Sequence, residues 1–143
     1  MDQSAGTVLT PEDLAYPENL RAVPDPPPLF CAGDILPTDR TAVAIVGTRS
    51  PTPVGREIAY EIASDLARAG VTVVSGLAAG IDAAAHKGAL DAGGRTIAGL
   101  GAGIDVVYPR ENRNLFARIP KSGALVSEYP LGTKPLPWHF PAR

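Results

Sequence analysis

AVAIVGTRSPTPVG (residues 42–55) and VTVVSGLAAGIDAAAH (residues 71–86) decide the fold: in each, an apolar run breaks on a glycine turn and a helical segment follows. Such a junction leaves several backbone N–H groups without intrahelical partners and adds the positive end of a helix dipole. Two of them in succession predict two anion-attracting turns along one edge of a sheet, a geometry suited to phosphate.

Working outward, Ala42–Val46, Val71–Val74, Thr96–Leu100 and Ala124–Val126 are continuous apolar runs rather than alternating ones. That pattern belongs to strands buried on both faces. Between the first two, Thr52 caps a helix, Pro53 suits its first position and Gly70 its end. Val54, Ile58, Ile62 and Leu66 recur every four residues with Ala59 and Ala63 beside them, so this face is expected to cover the sheet while Arg56, Glu57, Tyr60, Glu61, Ser64, Asp65 and Arg68 look outward. An alanine-rich helix over 81–92 and a third over 112–119 follow. Strands alternating with helices in this way predict an α/β fold with a doubly wound, mostly parallel Rossmann-like sheet. The sheet is expected to be incomplete at the C-terminal side, with an exposed edge at Val126. Residues 1–40 read as a proline-rich acidic lead-in, with a helical turn near Pro11–Leu14 and an edge strand at Leu29–Ala32, and 41–143 as the core.

The chain has 143 residues, 45% of them hydrophobic, enough for one domain with a real core. Its N-terminus shows no signal-peptide pattern and no stretch has the apolar length of a membrane span, so a cytoplasmic location without membrane contact is expected. A single cysteine, Cys31, excludes an intrachain disulfide, and two distant histidines make no zinc signature. Cys31 reads as a small buried apolar residue. The net charge of −2 is unevenly spread: residues 1–39 hold seven acids against Arg21, a net −6, and residues 40–143 twelve bases against eight acids, a net +4. A mildly basic core is compatible with a polyanionic partner and equally with a solvated surface.

Four constellations could carry chemistry. Gly47, Thr48, Arg49 and Ser50 stand at the carboxyl end of the first central strand, where open α/β sheets bind ligands, so two hydroxyls and a planar guanidinium read either as a phosphate clamp or as a turn with a surface arginine. In the Ser75–Asp82 turn, Gly76 and Gly80 permit a nest of amides aimed at an anion. Asp82, one turn before His86, could make an acid–base pair, although a carboxylate cap holding a histidine is the simpler account, since no nucleophile or metal cluster accompanies them. Gly99, Gly101 and Gly103 form G-x-G-x-G rather than the dinucleotide fingerprint, and are expected to let backbone approach the same crevice. No cofactor is implied. In the tail KPLPWHFPAR (residues 134–143), Lys134 and Arg143 could neutralise phosphates while Trp138, His139 or Phe140 stacks on a base, or the tail could fold back to bury Trp138 and Phe140.

Taken in order, VAIVGTRSPTPVG, VVSGLAAGIDAAAHKGAL, GGRTIAGLGAGIDVVYPRENRNL and GALVSEYPLGTKPLPWHFPAR resemble the DprA/Smf family of DNA-processing proteins, with the resemblance extending from about Pro24 to Arg143. It implies single-stranded DNA binding and protection, loading of a RecA-type recombinase in DNA uptake and natural transformation, no catalysis, and a homodimer in complete relatives. It also implies that Arg49, the SGLAAGID turn, Lys134, Phe140 and Arg143 line the DNA groove. The family pattern continues beyond HFPAR, so the chain reads as a truncated copy in which dimerisation is in doubt. A nucleoside-monophosphate hydrolase of the related LOG group is the alternative, but its P-G-G-x-G-T turn has no counterpart here; an inactive remnant is a third.

Overall fold

The computed structural model describes residues 6–143. Its six strands are β1 (Thr7–Leu9), β2 (Leu29–Gly33), β3 (Ala42–Ala44), β4 (Thr72–Ser75), β5 (Thr96–Leu100) and β6 (Gly123–Ser127), and they form one sheet in the order β1-β2-β6-β5-β4-β3. The pairs from β3 through β6 are parallel, whereas β2 runs antiparallel to both β6 and β1. The α/β class and mostly parallel sheet follow from the unbroken apolar runs at 72–74, 96–98 and 124–126, whose alternate residues all find cover.

Two expectations about the sheet are corrected. The Leu29–Ala32 strand is not an edge: it lies between β1 and β6, with Phe30 opposite both Val8 and Ser127. Val126 consequently lies inside the sheet, paired with Cys31 on one side and Gly99 on the other, and the bare edge of the parallel region is β3, at its opposite end. The lead-in sequence closes one side of the sheet, which is why Cys31 and Leu29 are buried.

Three helices link the parallel strands: α2 (Pro53–Arg68), α3 (Ile81–Asp91) and α4 (Arg113–Arg118), the last flanked by 3-10 turns at Arg110–Asn112 and Ile119–Lys121. Because β3, β4, β5 and β6 advance across the sheet in one direction, right-handed crossovers deposit all three helices on one face. No second helix layer of a doubly wound fold crosses the opposite face among the described residues; the lead-in arches over it instead. The arch includes α1 (Glu18–Arg21), which the prolines did not announce. The Tyr16 hydroxyl donates to the Pro27 carbonyl at 2.6 Å, and Arg21 donates to the carbonyls of Pro11 and Asp13, both at 2.9 Å. Between the arch and the sheet lies a half-open cavity of about 1010 Å3 floored by Ala42, Val74, Ile97, Gly99 and Val126.

The buried face of α2 keeps the expected Ala59 and Ala63 but is centred differently from the periodic reading. Val54, Ile58 and Ile62 are 65, 51 and 49% exposed, whereas Ala59, Ala63, Ser64 and Ala67 are buried. Small residues let α2 lie close against the equally small face of α3, where Ala63, Ala67, Val73, Ala85 and Ala89 form one cluster and Ser64 donates to the Gly88 carbonyl at 3.0 Å. Close packing of small side chains outcompetes the larger stripe because β3 is the last strand and offers that stripe nothing to cover. The second cluster, Leu77, Ala98, Leu100, Ile104, Leu115, Ile119 and Leu125, sits under α4.

Asp39 ties the strand starts together. Arg95 grips it with two hydrogen bonds of 2.8 Å, and Thr72 Oγ1 and the Leu36 N–H donate to it at 2.7 and 2.8 Å. Burial alone would raise the Asp39 pKa, but these four donors outweigh it and hold the carboxyl below its usual value.

Candidate nucleic-acid interface

At the carboxyl ends of β3, β4 and β5 the glycine turns converge as expected. The Thr52 hydroxyl caps α2 by accepting from the Gly55 N–H at 3.0 Å, and Ser50 N–H donates to Thr48 Oγ1 at 3.1 Å, which curls the Gly47–Ser50 turn back on itself. The Ile81 N–H donates to the Thr48 carbonyl at 3.1 Å, joining the first turn to the second. Gly80, with φ +87°, makes that junction feasible: a Cβ there would collide with the Thr48 carbonyl oxygen. Gly47 lies beside the Ile81 side chain on the other side of the same junction.

The second turn is not an open anion nest. The amides of Gly76 and Ala78 donate to Asp82 Oδ2 at 3.2 and 3.4 Å, and that of Leu77 donates to His86 Nε2 at 3.2 Å. The protein's own side chains occupy these three donors, so Gly76 does not offer the expected amide grip. An acid–base pair is excluded by the same contacts. His86 is fully buried; its Nε2 must accept from Leu77, so Nδ1 carries the proton and donates to Thr96 Oγ1 at 2.7 Å, whose own hydroxyl proton goes to the Val73 carbonyl at 2.7 Å. Burial pushes the His86 pKa down to about 3, leaving the ring neutral. Ser75 is likewise structural: it is buried, and its hydroxyl donates to the Ile45 carbonyl at 2.6 Å.

What remains open is cationic and aromatic. The tail folds back as α5 (His139–Ala142), and the Phe140 ring comes to rest against Gly101, filling the space that the glycines after β5 were expected to offer a ligand. His139 anchors this fold: it is buried, donates from Nδ1 to the Gly101 carbonyl at 2.8 Å and stacks on Tyr129 at 3.9 Å, so it is withdrawn from any ligand. Trp138 stays 67% exposed rather than being buried by the tail. Arg49 and Arg143 place their guanidinium carbons 5.5 and 5.0 Å from the centre of the Phe140 ring, within cation–π range. Arg143 also donates to the Gly76 carbonyl at 2.9 Å and stands 4.0 Å from Asp82. Burial lowers the Arg143 pKa; Asp82 opposes that shift and Arg49 adds to it, as two cations gathered near one carboxylate must.

Arg49, Arg143, Phe140, Tyr108, Glu111 and the 76–79 backbone line a crevice of about 230 Å3. Of the residues expected from sequence, Arg49, Gly76, Phe140 and Arg143 meet here, Thr48 and Ser50 lie exposed on the adjoining turn, and Lys134 is exposed on the loop before α5, outside the crevice lining. Tyr108, Glu111 and Asn112 were not anticipated. Their signal was the Tyr108-Pro109 pair directly after the glycines of β5, which returns the chain to the same sheet edge; Asn112 then pins it by donating to the Leu77 carbonyl at 2.9 Å.

The chain is thus an α/β protein with a Rossmann-like sheet whose carboxyl edge carries two arginines converging on an aromatic ring. Within that class, the sequence model of the DNA recombination-mediator protein A family matches residues 7–143, and the chain belongs to this family. Protein Smf of Synechocystis is 48% identical over 140 residues, and DNA processing protein DprA of Bacillus subtilis 42% over 130 residues. These alignments cover 94 and 90% of this chain but only 35 and 44% of the relatives. Among solved structures, DprA from Streptococcus pneumoniae superposes with a TM-score of 0.86 at 38% identity, over 96% of this chain and 48% of that one. DNA processing protein A from Helicobacter pylori, described for its single-stranded DNA binding mode, gives 0.81 at 34%, over 97 and 63%. The chain thus spans between about a third and two thirds of the length of these relatives. Among the described residues, no helix is long and apolar enough to cross a membrane.

Proposed function

We propose that this chain binds single-stranded DNA along the carboxyl edge of β3–β5 and serves recombination during DNA uptake. The observation that carries this is the convergence of Arg49 and Arg143 on Phe140 in a crevice large enough for one nucleobase. Two planar guanidiniums suit phosphate oxygens, while Thr48 and Ser50 extend the polar rim and Lys134 lies further along the tail. The single-stranded DNA binding of the H. pylori relative, which shares this fold, supports the same ligand here. Family membership supports loading of a RecA-type recombinase and pairing of two copies as the wider setting. Binding without bond cleavage is proposed because Asp82 and His86, the residues best spaced for acid–base work, spend their polar atoms on the 76–78 amides and on Thr96.

Titration of a dye-labelled single-stranded oligonucleotide at low salt tests this. Saturable binding that weakens as salt rises and exceeds binding to the matching duplex is expected. Failure to bind the single strand overturns the proposal.

A further inference from the structure

Glu111 is the one carboxylate on the crevice wall that the phosphate-binding account does not use. Its neighbour Asn112 is buried and hydrogen-bonded to the Leu77 carbonyl, so the Pro109–Asn112 turn is fastened to the loop that forms the opposite wall. Glu111 makes no ion pair among the described residues, although two arginines line the same crevice. A carboxylate at this point repels phosphate, so a strand held by Arg49 and Arg143 would turn a base rather than its backbone toward Glu111. Tyr108, 44% exposed and with its ring 5.8 Å from that of Phe140, offers an aromatic face at the same wall.

We infer that the crevice selects guanine: Tyr108 stacks on the base, and the Glu111 carboxylate accepts from its N1–H and 2-amino group. An ionised carboxylate only accepts hydrogen bonds, and guanine presents two adjacent donors on its pairing edge. Thymine presents a single N–H between two carbonyl oxygens, which the carboxylate repels. Cytosine and adenine each present an amino group beside an acceptor nitrogen. The 230 Å3 volume accommodates one base and no more. This inference rests on the proposed binding of single strands, because a base enters only if the strand lies along the rim.

The test uses oligothymidylate carrying one central guanine, hypoxanthine, adenine or cytosine, with binding followed by fluorescence anisotropy for the unaltered chain and for Glu111→Gln and Tyr108→Leu. Guanine should bind about tenfold more tightly than thymine, as expected for hydrogen bonds to an ionised partner, and hypoxanthine, which lacks the 2-amino group, should lie between. Glu111→Gln should remove most of this preference and raise affinity for plain oligothymidylate, because it removes a charge that repels both phosphate and the thymine carbonyls. Tyr108→Leu should weaken guanine binding and leave a residual preference. Competition by free dGMP that depends on Glu111 would also support guanine recognition, with a mononucleotide as its source; competition by dGMP but not by dTMP marks that case. If the unaltered chain binds strands with no base preference, or if Glu111→Gln keeps the preference, guanine selection is overturned while strand binding stands. If no strand binds and no mononucleotide competes, both fall.

Discussion

The Leu77 N–H donates to Nε2 of His86 at 3.2 Å, and that hydrogen bond holds a non-glycine residue at φ +58° in the floor of the crevice. The Leu77 carbonyl is held in turn by Asn112 at 2.9 Å, so both backbone groups of a strained residue are fixed by buried side chains. Such a conformation costs roughly 1–3 kcal/mol and persists only where its surroundings over-determine it.

The buried ring makes stability depend on pH. His86 titrates near 3 in the folded chain and near 6.5 when unfolded. The unfolded state therefore binds the extra proton first, and the contribution of neutral His86, complete above about pH 6.5, is lost progressively as pH falls toward 3. Urea unfolding at pH 7 and pH 5 should show stability dropping by up to about 1.4 kcal/mol per pH unit in this window. In His86→Phe that slope should disappear, on top of a general loss of about 1–3 kcal/mol for each hydrogen-bonding group left without its partner. An unchanged slope in the variant would show that His86 is not its source.

Asp39 should act in a lower window with a shift of the same sign. Its folded pKa is depressed, so its contribution is present above the usual carboxylate value and lost as pH falls through the folded value. Asp39→Asn leaves Arg95, which is 24% exposed, without its anionic partner. The partial exposure reduces the cost below the 3–5 kcal/mol of a fully buried broken pair, to about 2 kcal/mol. Equilibrium unfolding at pH 7 checks this.

Arg49→Ala should weaken single-strand binding for all sequences and lower the slope of log K against log salt by about 0.7, the share of one phosphate contact. Arg143→Ala should do the same and also lower stability, since it removes the hydrogen bond to Gly76 and leaves Asp82 without its nearby cation. Phe140→Leu separates two roles for the ring. With both guanidiniums gathered about Phe140, its loss should act by releasing Arg49 and Arg143, so the variant should lose salt-dependent affinity rather than base preference. Salt titrations of the three variants distinguish these outcomes.

The central strands and their turns were legible in the sequence because burial on both faces leaves unbroken apolar runs that end on glycine. The lead-in was not: β1 and α1 are short and sit among prolines, and their place is set by long-range pairing of Leu29–Gly33 with β6 and by the Tyr16 and Arg21 hydrogen bonds to distant carbonyls. Periodicity placed Ala59 and Ala63 of α2 on the buried face correctly but not Val54, Ile58, Ile62 and Ser64, since size counted for more than hydropathy once α3 presented Ala85 and Ala89. At the candidate site, Arg49, Phe140 and Arg143, singled out by residue type, come together in one crevice. The occupation of the 76–78 amides by Asp82 and His86 was not, because a capping carboxylate and an anion-binding nest have the same sequence signature until the side chains are placed.

The α2 stripe supplies a contrast of neighbours. Ile62→Glu alters a half-exposed position and should change monomer stability by no more than about 0.5 kcal/mol, while reducing self-association measured by sedimentation, because Val54, Ile58 and Ile62 leave an apolar strip beside the bare edge of β3. Ala63→Leu, one residue along, adds bulk where α2 meets α3 and should cost about 1–3 kcal/mol. Equal stability losses in the two variants would contradict the observed orientation of α2.

Gly80→Ala should damage the crevice from behind. The added methyl would meet the Thr48 carbonyl oxygen and the Arg49 backbone, and the residue would have to hold φ +87°, a conformation that L side chains rarely adopt. A loss of about 1–3 kcal/mol from the backbone alone is expected. The turn carrying Arg49 must then move away from the one carrying Gly76, so affinity for the single strand should fall even under conditions where the variant is fully folded. Gly70→Ala is the control: its φ of +81° imposes similar strain, but a Cβ there meets nothing within 4 Å and the position lies at the far end of α2. It should lower stability to a comparable extent and leave DNA affinity intact. Loss of affinity in both variants would mean that stability, and not the approach of the two turns, governs binding.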